Sequence, residues 1–233
     1  MSPNEPNRVV PGTVGALAGV LWLATFSVWL GLARPHWAGP LLAWFILLAL
    51  IGPFLPGFAN QATVLRAYLA GPALVYALHP SGLGGLAVTV ALAGFSDLID
   101  GQIARRLERP TQLGGGLDPV VDGFFFGAAA VGLVLGGALP SWLAITVGVR
   151  YGLPAVAGVL LLLMRRHVQL RHTPLGQVST TVIALVLGGV ALFRGLGVDA
   201  SWFDIVGEIV IPVTTLGCWL NLAWANRDAT RAG

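Results

Sequence analysis

The apolar residues of this chain arrive in blocks too long for the strands of a soluble core. They run over about residues 14–33, 41–58, 62–78, 83–107, 117–138, 142–164, 175–193 and 203–225. A helix that crosses a bilayer needs about 20 mostly apolar residues, because the hydrocarbon layer is ~30 Å thick. The pattern therefore predicts about eight membrane helices, with the second and third short enough to be tilted or to lie partly in the interface. The first block follows a polar start with one arginine, Arg8, and no clear small-residue cleavage site, which reads as a retained helix and not a cleaved signal peptide. Glycines four apart, Gly132 with Gly136 and Gly148 with Gly152, predict close approach between helix backbones. No fixed-period repeat or linker divides the chain, so the expectation is a single membrane domain over residues 1–233.

Composition strengthens this reading. The chain is 56% hydrophobic and 10% charged, with a mean hydropathy of +0.81, against about 25% charged residues in soluble domains. All thirteen basic residues are arginine, at a net charge of only +3, which argues against nucleic acid as a partner. Most of them flank the apolar blocks. A cytoplasmic N-terminus puts Arg66, Arg105, Arg106, Arg109, Arg165, Arg166, Arg171, Arg227 and Arg231 on the cytoplasmic side, with Arg34 and Arg194 as exceptions. A lone cysteine, Cys218, excludes an internal disulfide and a cysteine-based metal site. The eight tryptophans, several near block ends, suit interfacial belts.

The acidic residues change the picture from membrane protein to enzyme. Five of the ten fall between Asp97 and Asp122. Asp97 and Asp100 are three apart at the end of one predicted helix, and Asp118 and Asp122 are four apart at the start of the next, so each pair shares a helix face. An aspartate deep in a membrane helix costs roughly 2.5 to 3.5 kcal/mol on insertion scales, and four converging carboxylates repel one another. Such a cluster calls for a cation, and hard divalent ions that take oxygen ligands and substrate phosphate suit it. Gly101 and Ala104 beside the first pair, and Gly114 to Gly116 before the second, leave room for a bulky ligand, and Arg105 can meet its phosphates.

The string from Asp97 to Asp122 resembles the signature of the CDP-alcohol phosphotransferase family at all eight fixed positions: Asp97, Asp100, Gly101, Ala104, Arg105, Gly114, Asp118 and Asp122. Two shorter segments agree: Asn60, Thr63 and Arg66 resemble an N-x-x-T-x-x-R entry segment, and residues 176–181 resemble a later G-K-x-x-T segment with Gln177 in place of the lysine. The resemblance implies an all-α integral membrane fold, with a six-helix catalytic core over about 60–225 and two additional N-terminal helices over about 14–58. It also implies a two-metal Mg²⁺ or Mn²⁺ site at the cytoplasmic interface, and a homodimer. Asp97, Asp100 and Asp118 would be ligands, and Asp122 both ligand and general base. Asn60, Thr63, Gly101, Ala104, Arg105 and Gly114 would contact the nucleotide.

Arg150 stands inside an apolar block, where a guanidinium usually faces a cavity. It resembles the arginine of an Arg-Glu pair of phosphatidylglycerophosphate synthases, with Tyr151 replacing the glutamate. Arg66, Arg150 and Arg165 are therefore expected at the acceptor. The expected reaction moves a phosphatidyl group from CDP-diacylglycerol to a small, phosphorylated alcohol of the glycerol 3-phosphate or inositol phosphate type, releasing CMP. A CDP-choline or CDP-ethanolamine donor with diacylglycerol as acceptor is the alternative within the family. Membrane prenyltransferases carry two widely separated aspartate motifs, unlike this cluster. An ion-coupled transporter would call for inverted repeats, which the sequence does not show.

Overall fold

The computed structural model describes residues 12–55, 57–106, 112–163 and 174–231, which form eight α-helices and two short 3-10 turns, Gly52–Phe54 and Pro80–Gly82. The helices are α1 (Thr13–Ala33), α2 (Ala38–Ile51), α3 (Phe58–Ala77), α4 (Leu83–Arg106), α5 (Gln112–Leu135), α6 (Ser141–Leu163), α7 (Pro174–Gly195) and α8 (Ser201–Arg231). Helices dominate because lipid offers backbone amides and carbonyls no partners, so each must be satisfied within its own segment. Among the described residues five spans are long and apolar enough to cross a bilayer: Thr13–Ala33, Pro80–Gln102, Leu117–Leu135, Leu175–Gly195 and Ser201–Asn221. The protein is a multi-pass membrane protein.

The helix α3 is absent from those five for a reason that matters to function. It carries Asn60, Gln61, Thr63 and Arg66, which would be expensive against lipid, and the fold removes them from it: thirteen of its twenty residues are buried. Six helices make a closed ring of neighbours, α3 to α4, α4 to α7, α7 to α8, α8 to α6, α6 to α5 and α5 back to α3. The remaining pair, α1 and α2, forms a hairpin on the outer side of α3. Its seam with α3 is aromatic. Phe26 and Phe45 lie against Tyr68 with ring centroids 5.2 and 5.6 Å away, and the Trp29 indole donates to the Tyr76 hydroxyl at 2.8 Å. Trp44 donates to the Ala67 carbonyl at 2.9 Å, so two of the tryptophans expected at the interface bind helices together instead.

Several boundaries differ from the sequence pattern. The block 41–58 breaks at Ile51, because Pro53 cannot continue the amide ladder and the chain turns through Gly52–Phe54. Gly57 then takes a φ of 91°, open to glycine at no steric cost, and α3 begins at Phe58 instead of 62. Asn60 and Thr63 consequently lie inside α3, whose N-cap is Gly57. The helix α5 starts at Gln112 instead of 117, so Gly114 to Gly116 sit within its first turns.

Glycine packing divides the two predicted pairs. A Cβ on Gly132 would stand 2.8 Å from the Leu74 carbonyl oxygen, and one on Gly136 would be 3.1 Å from the Leu78 carbonyl carbon, so α5 and α3 meet backbone to backbone. Gly148 and Gly152 do not behave this way: among the described residues nothing lies within 4 Å of a Cβ at either. At that end of the bundle Arg194 donates to the Ala138 carbonyl at 2.7 Å and to Asp204 at 2.5 Å, fastening α7 to the α5–α6 turn and to α8.

Candidate active site

Three helices each present a pair of polar side chains one turn apart. Thr63 and Arg66 come from α3, Asp97 and Asp100 from the second half of α4, and Asp118 and Asp122 from the first half of α5. Residues three or four apart share a helix face, so packing α3 between α4 and α5 brings all six side chains together. The Ser96 hydroxyl donates to the Ala62 carbonyl at 2.6 Å and fixes α4 against α3 beside them.

The guanidinium of Arg66 is the point on which the four carboxylates converge. Its Nη1 pairs with Asp97 Oδ1 at 2.8 Å and with Asp122 Oδ1. Its Nη2 pairs with Asp100 Oδ2 at 2.8 Å and with Asp118 Oδ1 at 3.5 Å. The Thr63 hydroxyl, with one hydrogen to donate, has three acceptors in reach: Asp118 Oδ1 at 2.9 Å, Asp100 Oδ2 at 3.0 Å and the Ala59 carbonyl at 3.2 Å. The cluster is graded in depth: the side chains of Asp97 and Asp118 are 60% and 35% exposed, against 8% for Asp100, 14% for Asp122 and 4% for Arg66. One face of the quartet is open, while Asp100 and Asp122 reach inward.

Charge is the main property of this arrangement. Four carboxylates meet one guanidinium, which leaves an excess of three negative charges. Two unit charges 4 Å apart interact by about 4 kcal/mol at an effective dielectric near 20, so the formal excess favours cations at the open face. The donor set is all carboxylate oxygen, which suits Mg²⁺ or Mn²⁺ and not a soft metal. No three acidic, histidine or cysteine side chains among the described residues are grouped at metal-ligand spacing. The guanidinium stands where the carboxylate oxygens meet.

A second polar seam lies beside Asp122. A Cβ on Gly123 would be 2.9 Å from Tyr151 Cβ, so α6 crosses α5 next to Asp122. The Tyr151 hydroxyl is 3.4 Å from Thr180 Oγ1 on α7. Arg150, 7% exposed, donates through Nε to the Ser179 hydroxyl at 3.1 Å and through Nη2 to the Gly176 carbonyl at 3.2 Å. Its Cζ is 5.0 Å from the Tyr151 ring centroid. Thus residues 176–181 form the start of α7, and their role in this structure is to receive α6.

The expected site residues fall into three groups. Asp97, Asp100, Asp118, Asp122 and Thr63 are brought together. Arg66, expected at an acceptor phosphate, is instead buried among the aspartates, and Arg150 points to α7, with no hydrogen bond to the quartet. Asn60 is buried on α3 and Gly101 is half-buried on α4. Ala104, Arg105 and Gly114 belong to the facing ends of α4 and α5, but their surroundings lie outside the described residues, as does Arg165 altogether. Two features escaped the sequence reading. Gln61, 4% exposed, donates to the Gly52 and Leu55 carbonyls at 2.9 and 2.7 Å, tying the first turn of α3 to the end of α2. Ser179 and Thr180 hold Arg150 and Tyr151. The available signal was polar side chains within apolar helices.

Comparison with known proteins agrees with this geometry. A family model described as CDP-alcohol phosphatidyltransferase matches residues 57–220, which begin with α3 and take in the aspartate quartet and the second seam. A Mycobacterium tuberculosis protein that carries a cardiolipin synthase name is 35% identical over 123 residues, 52% of this chain and 57% of the relative. Cardiolipin synthase (CMP-forming) of Streptomyces coelicolor is 35% identical over 88 residues, 38% of this chain and 40% of the relative. Archaetidylinositol phosphate synthase of Methanothermobacter thermautotrophicus is 43% identical over 51 residues, 22% of this chain and 26% of the relative. The chain thus spans at most 57% of the length of these relatives. With an aspartate quartet assembled from three helices inside a matched region of this extent, the chain belongs to the CDP-alcohol phosphatidyltransferase family.

Proposed function

We propose that the protein transfers a phosphatidyl group from CDP-diacylglycerol to the hydroxyl of a small, phosphorylated alcohol, with release of CMP. The observation that carries this reading is the convergence of Asp97, Asp100, Asp118 and Asp122, with an excess of three negative charges, on one open face. The family uses divalent metal, and this carboxylate set fits a pair of Mg²⁺ or Mn²⁺ ions held by Asp97, Asp100, Asp118 and Asp122. When bound, such a pair supplies positive charge for the attacking and leaving oxygens of an in-line displacement.

The chain's own residues do the rest. The open side at Asp97 and Asp118 admits the pyrophosphate, and Thr63, between Asp100 and Asp118, fixes those two carboxylates relative to each other. Asn60 and the backbone around Gly101, Ala104 and Gly114 line the nucleotide, with Arg105 on its phosphates. Asp122, the carboxylate nearest Tyr151, takes the acceptor proton. The acceptor oxygen forms a bond to the phosphorus that bears the diacylglycerol group. The bond from that phosphorus to the bridging oxygen breaks, and its electron pair departs with CMP. Arg150 and Arg165 are the acceptor-side cations of this reading, with Arg150 held ready by Ser179 and Gly176.

The relatives' names support a phosphoglycerol or inositol phosphate acceptor over diacylglycerol: they include cardiolipin, phosphatidylglycerophosphate and archaetidylinositol phosphate synthases. The arginine bias supports a cytoplasmic location for this end of the bundle, and the family resemblance supports a homodimer. The test is CMP release by purified protein from CDP-diacylglycerol with Mg²⁺ and a panel of acceptors: glycerol 3-phosphate, inositol phosphate, phosphatidylglycerol and diacylglycerol. Release with one of the phosphorylated alcohols is expected. Activity with diacylglycerol and a CDP-choline donor alone would reverse the assignment, and silence across the panel would end it.

A further inference from the structure

We propose that the Arg66 guanidinium and divalent metal compete for the aspartate quartet, so that metal binds by displacing Arg66 from it. This inference rests on the two-metal reading given above and adds a competitor to it.

Arg66 engages one oxygen from each carboxylate: Asp97 Oδ1, Asp100 Oδ2, Asp118 Oδ1 and Asp122 Oδ1. Mg²⁺ holds its ligands at roughly 2.0–2.1 Å in near-octahedral order, whereas the Arg66 nitrogens stand 2.8 Å from two of these oxygens. Metal held through these same four oxygens would draw the carboxylates onto itself and compete with the guanidinium for them. Charge points the same way. Against four carboxylates, one guanidinium leaves the cluster strongly negative, while two divalent ions neutralise it and then repel the guanidinium.

The fit of Arg66 to its pocket is also incomplete. Arg66 is 3% exposed, yet its buried Nε has no hydrogen-bond partner among the described residues. Among the described residues, every partner that holds the guanidinium is one of the four aspartates. A side chain anchored solely by the carboxylates is released once those carboxylates bind metal. The released guanidinium is then free to meet phosphate oxygens of the nucleotide, which it pairs with as readily as with carboxylate. Metal loading and donor binding are thereby coupled through one residue.

The test is Mn²⁺ binding to purified protein without nucleotide, followed by the electron paramagnetic resonance signal of free Mn²⁺, for wild type, Arg66→Gln and Arg66→Lys. Removing a competing unit charge from the cluster should tighten Mn²⁺ binding by about tenfold or more in R66Q, and by less in R66K, which keeps the charge but loses the planar fork. In EDTA the R66Q melting temperature should fall below wild type, and Mn²⁺ should raise it by more. Mn²⁺ binding by R66Q equal to or weaker than wild type would overturn the proposal, because Arg66 would then be a scaffold for the ligands. If R66Q does not survive metal-free purification, R66K and a structure of the Mn²⁺-loaded wild type decide the matter. Arg66 still paired with all four aspartates in that structure would overturn it, and Arg66 withdrawn from them is the expected result. Failure of all three proteins to bind Mn²⁺ is a different outcome, and it would remove the two-metal reading itself together with this inference.

Discussion

Among the described residues two arginine–aspartate centres stand at opposite ends of the bundle, and they are built on opposite charge accounts. At one end Arg194 pairs with Asp204 alone and uses its other Nη on the Ala138 carbonyl, so charge is balanced and three elements are fastened. At the other, Arg66 meets four aspartates, and three negative charges remain unmatched. A structural ion pair minimises the charge left over in a medium that solvates it poorly. A cluster that leaves charge over inside a membrane protein is complete only with something it binds. The number of carboxylates per cation therefore separates the two ends more sharply than burial does.

The largest predicted effect breaks that comparison at the aspartate end. Asp122→Asn should lower turnover by about 10² or more, the usual scale for a lost general base. The same change removes one of the unmatched charges, so in EDTA the variant should melt no lower than wild type. Asp204→Asn should do the reverse, lowering the melting temperature and leaving turnover alone. Parallel measurements of CMP release and thermal denaturation check both signs, and a D122N protein that is destabilised but fully active would refute the division.

A smaller effect concerns how the catalytic helix is held. Gln61 fills two backbone acceptors at the end of α2, while Thr63 and Arg66, two and five residues further along α3, face the quartet. Gln61→Leu leaves the Gly52 and Leu55 carbonyls without their donor, each worth about 1–3 kcal/mol when buried. Movement of the first turn of α3 should also lower turnover by about tenfold, short of the Asp122→Asn loss. Steady-state kinetics alongside melting curves would test this. A loss of stability with unchanged kinetics would show that the N-terminal hairpin holds the fold and not the site.

The extent to which the sequence revealed this design follows from which forces are local. The helices were legible because apolar block length answers to the bilayer, and the four aspartates because their spacing places each pair on one helix face. The start of α3 was not legible: the turn at Gly52–Phe54 and the positive φ of Gly57 hide inside what reads as one apolar block. Nor was the position of Arg66. Its spacing from Thr63 fixes a shared helix face, but only the packing of α3 between α4 and α5 decides that the face meets carboxylates and not headgroups. Arg150 shows the same gap, since its partners Ser179 and Gly176 come from a helix 26 to 29 residues away.

The smallest predicted effect sharpens the comparison from the balanced end. The side chains of Arg194 and Asp204 are 31% and 27% exposed, so water screens the pair in part, and a coupling of about 0.5–1 kcal/mol is expected. A double-mutant cycle with Arg194→Met and Asp204→Asn isolates that term from the loss of the Ala138 contact, which belongs to Arg194 alone. The single Arg194→Met change should therefore be the more destabilising of the two, and the double variant should recover part of the sum. Neither should alter Mn²⁺ affinity, because the pair lies at the opposite end of the bundle from the quartet. A change in Mn²⁺ affinity in either variant would mean that the two ends communicate through α7 and α4, and the separation of a structural from a functional centre would then fail.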